Sequence, residues 1–264
     1  MTIDYISLAR VAHDMADAAR QVILPHFRSA ALTSDNKDAN GFDPVTVADR
    51  AAERAMRDVL AQQRPDDAIL GEEFGTQAGV SGLTWVLDPI DGTRGFVSGT
   101  PTWGVLIAVG PEAGPGLGLI DQPYIGERFI GFDGQAELRG PSGQSRLATR
   151  GTRDLAQATL FTTFPEVGSA AERTAFEQVA ARVQLTRYGM DCYAYALVAA
   201  GQADLVIEAG LNAYDIQAPI ALVEAAGGIV TDWDGGPVHA GGRALAAANR
   251  DIHAQALALL QGTP

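Results

Sequence analysis

Four acidic positions in this chain are spaced so that they could hold a divalent cation against a phosphate. Asp88 and Asp91 stand three residues apart in Asp88-Pro-Ile-Asp-Gly-Thr93, with Gly71-Glu72-Glu73 upstream and Asp215 far downstream. Closely spaced carboxylates repel one another unless a cation lies between them. Their oxygens are the hard ligands that Mg²⁺ prefers. Two metals about 3.5–4 Å apart need several carboxylates, at least one of them bridging. Glu72, Asp88, Asp91 and Asp215 could supply that set, and Gly92-Thr93 adds an open backbone and a hydroxyl. Each acid alone has a plainer explanation. Glu72 and Glu73 could be solvated turn residues, Asp91 an ordinary turn residue before glycine, and Asp215 the N-cap of a helix. It is the combination that points to metal and phosphate.

The elements that must position these side chains are legible from periodicity. Apolar residues at helical spacing over 3–28 (Leu8, Val11, Met15, Ala19, Val22) predict a first helix. The polar run at 29–44 reads as a mobile loop. A second helix is expected over 47–63, and Thr46 three before Asp49 resembles a capping box at its start. Ala68-Ile-Leu70 and Trp85-Val-Leu87 read as short buried strands that stop at Glu72 and Asp88. Strand 103–110 and an antiparallel meander over 116–139 follow. From about 150 the texture changes to α/β alternation: strand 159–163, helices 169–182 and 191–201, strand 204–208 and helix 215–227. Gly227-Gly228 is the C-cap signal of that last helix. Strands near 229–233 and 244–248 and a helix over 251–261 close the chain. The Pro/Gly/Ser-rich stretch at 140–145 divides an N-terminal α+β half (1–140) from a C-terminal α/β half (141–264), which together would form one catalytic unit.

With 264 residues and 47% hydrophobic content the chain can bury a sizeable core. A net charge of −13 argues against nucleic-acid and anionic-membrane partners, because the long-range field repels phosphate backbones. A phosphorylated substrate would need local metal ions to invert that field. Cys192 is the single cysteine, so no internal disulfide can form, which fits a reducing cytoplasm. No signal peptide is evident and no apolar run reaches membrane length. Cys192 precedes an apolar run and reads as a structural thiol; the four histidines form no ligand-like cluster.

Gly71-Glu-Glu73, Trp85-Val-Leu-Asp-Pro-Ile-Asp-Gly-Thr93, Tyr214-Asp-Ile-Gln-Ala-Pro219 and Glu224-Ala-Ala-Gly-Gly228 together resemble the inositol monophosphatase family, from about residue 40 to 230. The resemblance implies a layered α/β sandwich of helices and sheets, commonly a homodimer. It implies two or three Mg²⁺ per site, with Mn²⁺ a possible substitute. The implied ligands are Glu72, Asp88, the carbonyl of Ile90, Asp91 and Asp215. Gly92 and Thr93 would contact phosphate through backbone N–H groups, and Asp49 would pair with the Thr93 hydroxyl. Lys37 is the candidate for a family lysine. The implied mechanism is direct hydrolysis: a metal-activated water, oriented by Thr93, Asp49 and Glu72, attacks phosphorus in line.

Within the family, Arg94-Gly-Phe-Val-Ser-Gly-Thr-Pro-Thr-Trp-Gly104 and Gly189-Met-Asp-Cys-Tyr193 are similar to the histidinol-phosphate phosphatase branch, although Met190 replaces its usual second glycine. Asp191 or Glu208 could pair with the ammonium or imidazole of histidinol phosphate. Glu208 stands seven before Asp215, where the family places a substrate-contacting acid. Asp191 could instead cap a helix, and Arg187 could reach phosphate or lie on the surface. The expected activity is a Mg²⁺-dependent histidinol-phosphate phosphatase. The alternatives are an inositol-1-phosphate or broad sugar-phosphate phosphatase and a catalytically silent binding protein.

Overall fold

The computed structural model describes residues 3–29, 34–36 and 44–262. Helix α1 (Tyr5–Ile23) starts where the Asp4 carboxylate accepts from Ser7 N at 3.1 Å, and it buries Leu8, Val11, Ala12, Met15, Ala19 and Ile23. This is the 3.6-residue stripe read from the sequence. Within the expected loop, β1 (Ser34–Asn36) pairs antiparallel with β2 (Pro44–Thr46). Lys37 lies outside the described residues. Helix α2 (Val47–Gln63) opens with the expected Thr46–Asp49 capping box.

The next strands are β3 (Ala68–Gly71), β4 (Gly75–Gln77) and β5 (Thr84–Asp91), followed by the short helix α3 (Thr93–Ser98). Then come β6 (Gly104–Gly110), β7 (Leu117–Gln122), β8 (Glu127–Phe132), β9 (Gln135–Gly140) and β10 (Gly143–Arg146). The eight strands β3–β10 form one sheet in the order β10-β9-β8-β7-β6-β5-β3-β4. The 140–145 stretch holds the β9–β10 turn and most of an exposed edge strand, so this sheet extends to Arg146. Strand β5 does not stop before Asp88, as its apolar run suggested; it runs on through both aspartates.

The remaining elements are β11 (Thr159–Thr162), α4 (Ala170–Ala180), β12 (Leu185–Tyr188), α5 (Tyr193–Ala199), β13 (Leu205–Asn212), α6 (Ala213–Ala225), β14 (Ile229–Thr231), β15 (Gly241–Ala247) and α7 (Arg250–Leu260). Five strands form a second sheet, β12-β11-β13-β15-β14. Its edge strand β12 has no counterpart in the sequence reading.

The layers follow from which faces are apolar. Helices α1 and α2 pack on one face of the first sheet. Helices α5 and α6 lie between the two sheets, and α4 and α7 cover the far face of the second. Helix α6 buries Ile216, Ala218, Pro219, Ile220, Ala221, Leu222 and Val223, the all-round apolarity expected of a helix enclosed on both sides. Strand β6 is buried along its whole length for the same reason. The expected layered α/β sandwich is the architecture observed.

Candidate active site

Parallel pairing of β3 with β5 sets Gly71 opposite Leu87, and Glu72 N donates to Leu87 O at 3.2 Å. Glu72 therefore stands beside Asp88, just past the end of β3. Between β5 and β6 the register runs Asp88↔Leu106 and then Asp91↔Gly104, which leaves one extra residue on β5. Pro89 sits in this bulge, where its missing N–H breaks no ladder bond. Side chains three apart on a regular strand point to opposite faces; the bulge brings Asp88 and Asp91 to one side. Asp215 arrives at the third position of α6, where its Oδ2 accepts from Asn212 N at 2.7 Å. It is the acid of a capping box, and Asn212 is the N-cap.

One carboxylate oxygen from each of Asp88, Asp91 and Asp215 lies within 4.8 Å of the others. Asp88 is only 2% exposed. Burial, and then the carboxylates of Glu72, Asp91 and Asp215, push the Asp88 carboxyl well above the usual range. Burial and then Asp191, Asp215 and Glu208 do the same to Asp91, opposed by the bond that its Oδ2 accepts from Cys192 N at 2.7 Å. Mutually repelling oxygen donors of this kind, Asp88 buried and Asp91 and Asp215 half-buried, fit a hard divalent cation, whose charge would relieve the repulsion. Glu72, Asp88, Asp91 and Asp215, with the Ile90 carbonyl, could hold it.

Asp49 is buried on α2, and its Oδ2 accepts from Thr46 N at 2.8 Å and Thr46 Oγ1 at 2.6 Å. Burial raises its carboxyl, and the Thr46 bonds oppose that rise. Its other oxygen faces Thr93. The single Thr93 hydroxyl proton has two acceptors, Ile90 O at 3.1 Å and Asp49 Oδ1 at 3.5 Å. Gly92 takes φ +82°, the left-handed conformation in which glycine is unstrained. A Cβ at Gly92 would also lie 2.6 Å from the Asp191 carboxyl carbon.

Asp191 is not the cap of α5; that position belongs to Cys192. Asp191 adopts φ +47°, and its Oδ2 accepts from Thr102 Oγ1 at 2.8 Å. Burial raises its carboxyl, and Thr102 and Arg94 pull it down. Glu208 accepts from Thr163 N at 3.2 Å and Thr163 Oγ1 at 2.5 Å on one oxygen, and from Tyr195 OH at 2.8 Å on the other. Burial is the main cause that raises its carboxyl.

Glu72, Asp88, Ile90, Asp91, Gly92, Thr93, Asp191, Glu208 and Asp215 all line one cavity of about 320 Å³. Asp49 stands behind Thr93 rather than in the lining. Arg187 is exposed on edge strand β12, away from the lining. Thr102 and Thr163, which hold Asp191 and Glu208, escaped the sequence reading because an isolated threonine carries no spacing signal. Cys192 is buried, and its thiol is raised by burial and by Asp91, as suits a structural cysteine. Among the described residues no helix is long and apolar enough to cross a membrane.

A family model described as the inositol monophosphatase family matches residues 4–263. A bifunctional phosphatase IMPL2, chloroplastic, of Arabidopsis thaliana is 42% identical over 96% of this chain and 75% of its own. A histidinol-phosphatase of Streptomyces coelicolor is 35% identical over 97% of this chain and 98% of its own. The solved structure of an inositol monophosphatase from Zymomonas mobilis superposes with a TM-score of 0.86 at 38% identity, covering 98% of this chain and all of that one. By sequence and by fold, the chain belongs to the inositol monophosphatase family, a metal-dependent family of phosphomonoesterases.

Proposed function

We propose that this chain hydrolyses L-histidinol phosphate to L-histidinol and phosphate with Mg²⁺ held by Glu72, Asp88, Ile90 O, Asp91 and Asp215. The bound ions would neutralise phosphoryl oxygens and make a water more acidic. The protein's own groups do the rest. Gly92 and Thr93 offer backbone N–H groups to the phosphate at the start of α3. The Thr93 hydroxyl, when it donates to Asp49 rather than to Ile90 O, leaves a lone pair for a water proton, and Asp49 is held for that task by Thr46. Glu72, beside Asp88, completes the set that orients the attacking water. Asp191 and Glu208 take the leaving group, pairing with its ammonium or its imidazole.

The observation that carries the substrate choice is the Asp191 carboxylate in the cavity, packed against Gly92 and held by Thr102. A carboxylate there suits a cationic leaving group better than a neutral polyol. The histidinol-phosphatase name of the Streptomyces coelicolor relative supports the same reading. The second reading is an inositol-phosphate or broad sugar-phosphate phosphatase, favoured by the Zymomonas mobilis structure. The resemblance further implies a homodimer, with Mn²⁺ able to replace Mg²⁺, and the single cysteine suits a reducing cytoplasm.

Phosphate release across a panel of histidinol, inositol, fructose and nucleotide monophosphates, each with Mg²⁺, tests the choice. The expected result is a kcat/KM for L-histidinol phosphate well above the rest. Good turnover of inositol 1-phosphate with none of histidinol phosphate would reverse it.

A further inference from the structure

We propose that the exposed face of Phe164 is the platform on which the planar imidazole end of the substrate sits, with Arg94 holding that face until the substrate arrives. The inference rests on the histidinol phosphate reading and names the residue that reads the ring.

Phe164 is 46% exposed yet lines the same cavity as Asp191 and Glu208. Its ring already carries a flat cation: the Arg94 guanidinium carbon lies 4.9 Å from the ring centroid. A guanidinium is held there by the ring's quadrupole. An imidazole meets the same face by stacking when neutral and by cation–π attraction when protonated.

The ring's place is set by the acid beside it. Thr163 donates to Glu208 through both its N–H and its hydroxyl, so the chain leaving β11 is pinned to Glu208 and the next residue, Phe164, hangs over the cavity. Arg94 reaches it from α3, directly after Thr93. Phosphate contacts, carboxylates and an aromatic face thus surround one cavity. An amino alcohol phosphate with a flat ring can use all three, whereas a polyol phosphate has no flat face to offer. Phe164 is therefore a specificity residue that favours the first class over the second.

The test compares kcat/KM for L-histidinol phosphate and inositol 1-phosphate in wild type, Phe164→Ala, Phe164→Leu and Phe164→Trp. Loss of a cation–π or stacking contact corresponds to a fall of roughly 3- to 30-fold. The ratio of the two kcat/KM values should drop by that factor in the alanine and leucine variants and persist in the tryptophan variant. An unchanged ratio, or tryptophan behaving as alanine does, would overturn the platform. Should wild type fail to hydrolyse histidinol phosphate, the substrate reading falls by itself. The platform is then decided by L-histidinol as an inhibitor of inositol 1-phosphate hydrolysis. Inhibition weakened in Phe164→Ala supports it; inhibition absent, or equal in both proteins, overturns it.

Discussion

Asp88 and Asp91 lie three residues apart on β5 and yet bring their carboxylates to one side, because a bulge at Pro89 adds a residue between them. Asp215 joins them from α6. Without a cation the cluster is repulsive, so a cation that binds the native state should stabilise it by mass action. At a hundred times Kd the gain is about 2.7 kcal/mol, or roughly 5–10 °C in Tm for a chain of this size. Thermal melts of chelator-treated protein with and without millimolar Mg²⁺ read this directly. Asp88→Asn should abolish the shift, and a wild-type Tm indifferent to Mg²⁺ would count against the cluster.

The same carboxylates couple metal to pH. Asp88 and Asp91 are raised in the folded, metal-free protein, so the folded state holds protons that the unfolded state has released. Their contribution to stability is present at low pH and is lost as pH rises through the raised values. Metal-free protein should therefore melt lower as pH climbs above the ordinary carboxylate range. Added Mg²⁺ must displace those protons. Its apparent affinity should rise with pH, and calorimetry in buffers of different ionisation enthalpy should report proton release. Affinity independent of pH would contradict the arrangement.

Thr93 has one proton and two acceptors, Ile90 O and Asp49 Oδ1. Thr93→Ala and Asp49→Asn should each lower kcat by about 10²- to 10⁴-fold, the usual range for a lost proton-transfer group, with a smaller change in KM. Thr93→Ser keeps the hydroxyl and should retain most activity. Steady-state kinetics of the three variants check this, with loss in the serine variant as severe as in alanine as the adverse result.

Buried Glu53 on α2 fixes the turn that carries Glu72. Its carboxylate accepts from Glu73 N at 2.6 Å, Phe74 N at 3.2 Å and Arg57 Nε at 2.8 Å. A Cβ on Gly71 would sit 2.0 Å from its Oε1, so glycine is the residue that lets the turn approach. Glu53→Gln should cost about 1.5–3 kcal/mol, the scale of hydrogen bonds to a charged group. It should also shrink the Mg²⁺-induced Tm shift, because Glu72 loses its support. Gly71→Ala should do both more severely. A normal Mg²⁺ shift in a merely less stable Glu53→Gln protein would limit Glu53 to structure.

Much of this was legible in the sequence, and for physical reasons. Helices α1 and α2 announce themselves through apolar periodicity, α6 through the Gly227-Gly228 signal that ends it, and the Thr46–Asp49 box was readable from its spacing. The short apolar runs before Glu72 and Asp88 located the strands. Their continuation was not readable, because the Pro89 bulge follows from pairing with β6 rather than from any local propensity. Edge strands β10 and β12 were missed because Gly143–Arg146 is exposed throughout and Leu185–Tyr188 nearly so; neither carries an apolar alternation. Asp191 stayed open between cap and site because its partner, Thr102, lies far away in sequence and meets it only in the fold.

The most direct measurement is phosphate release from L-histidinol phosphate by chelator-stripped protein, before and after addition of Mg²⁺, for wild type and Asp88→Asn. The account predicts release only when Mg²⁺ is present, with Asp88→Asn slower than wild type by at least about a hundredfold. Release that persists in chelator, or that Asp88→Asn matches, would contradict it.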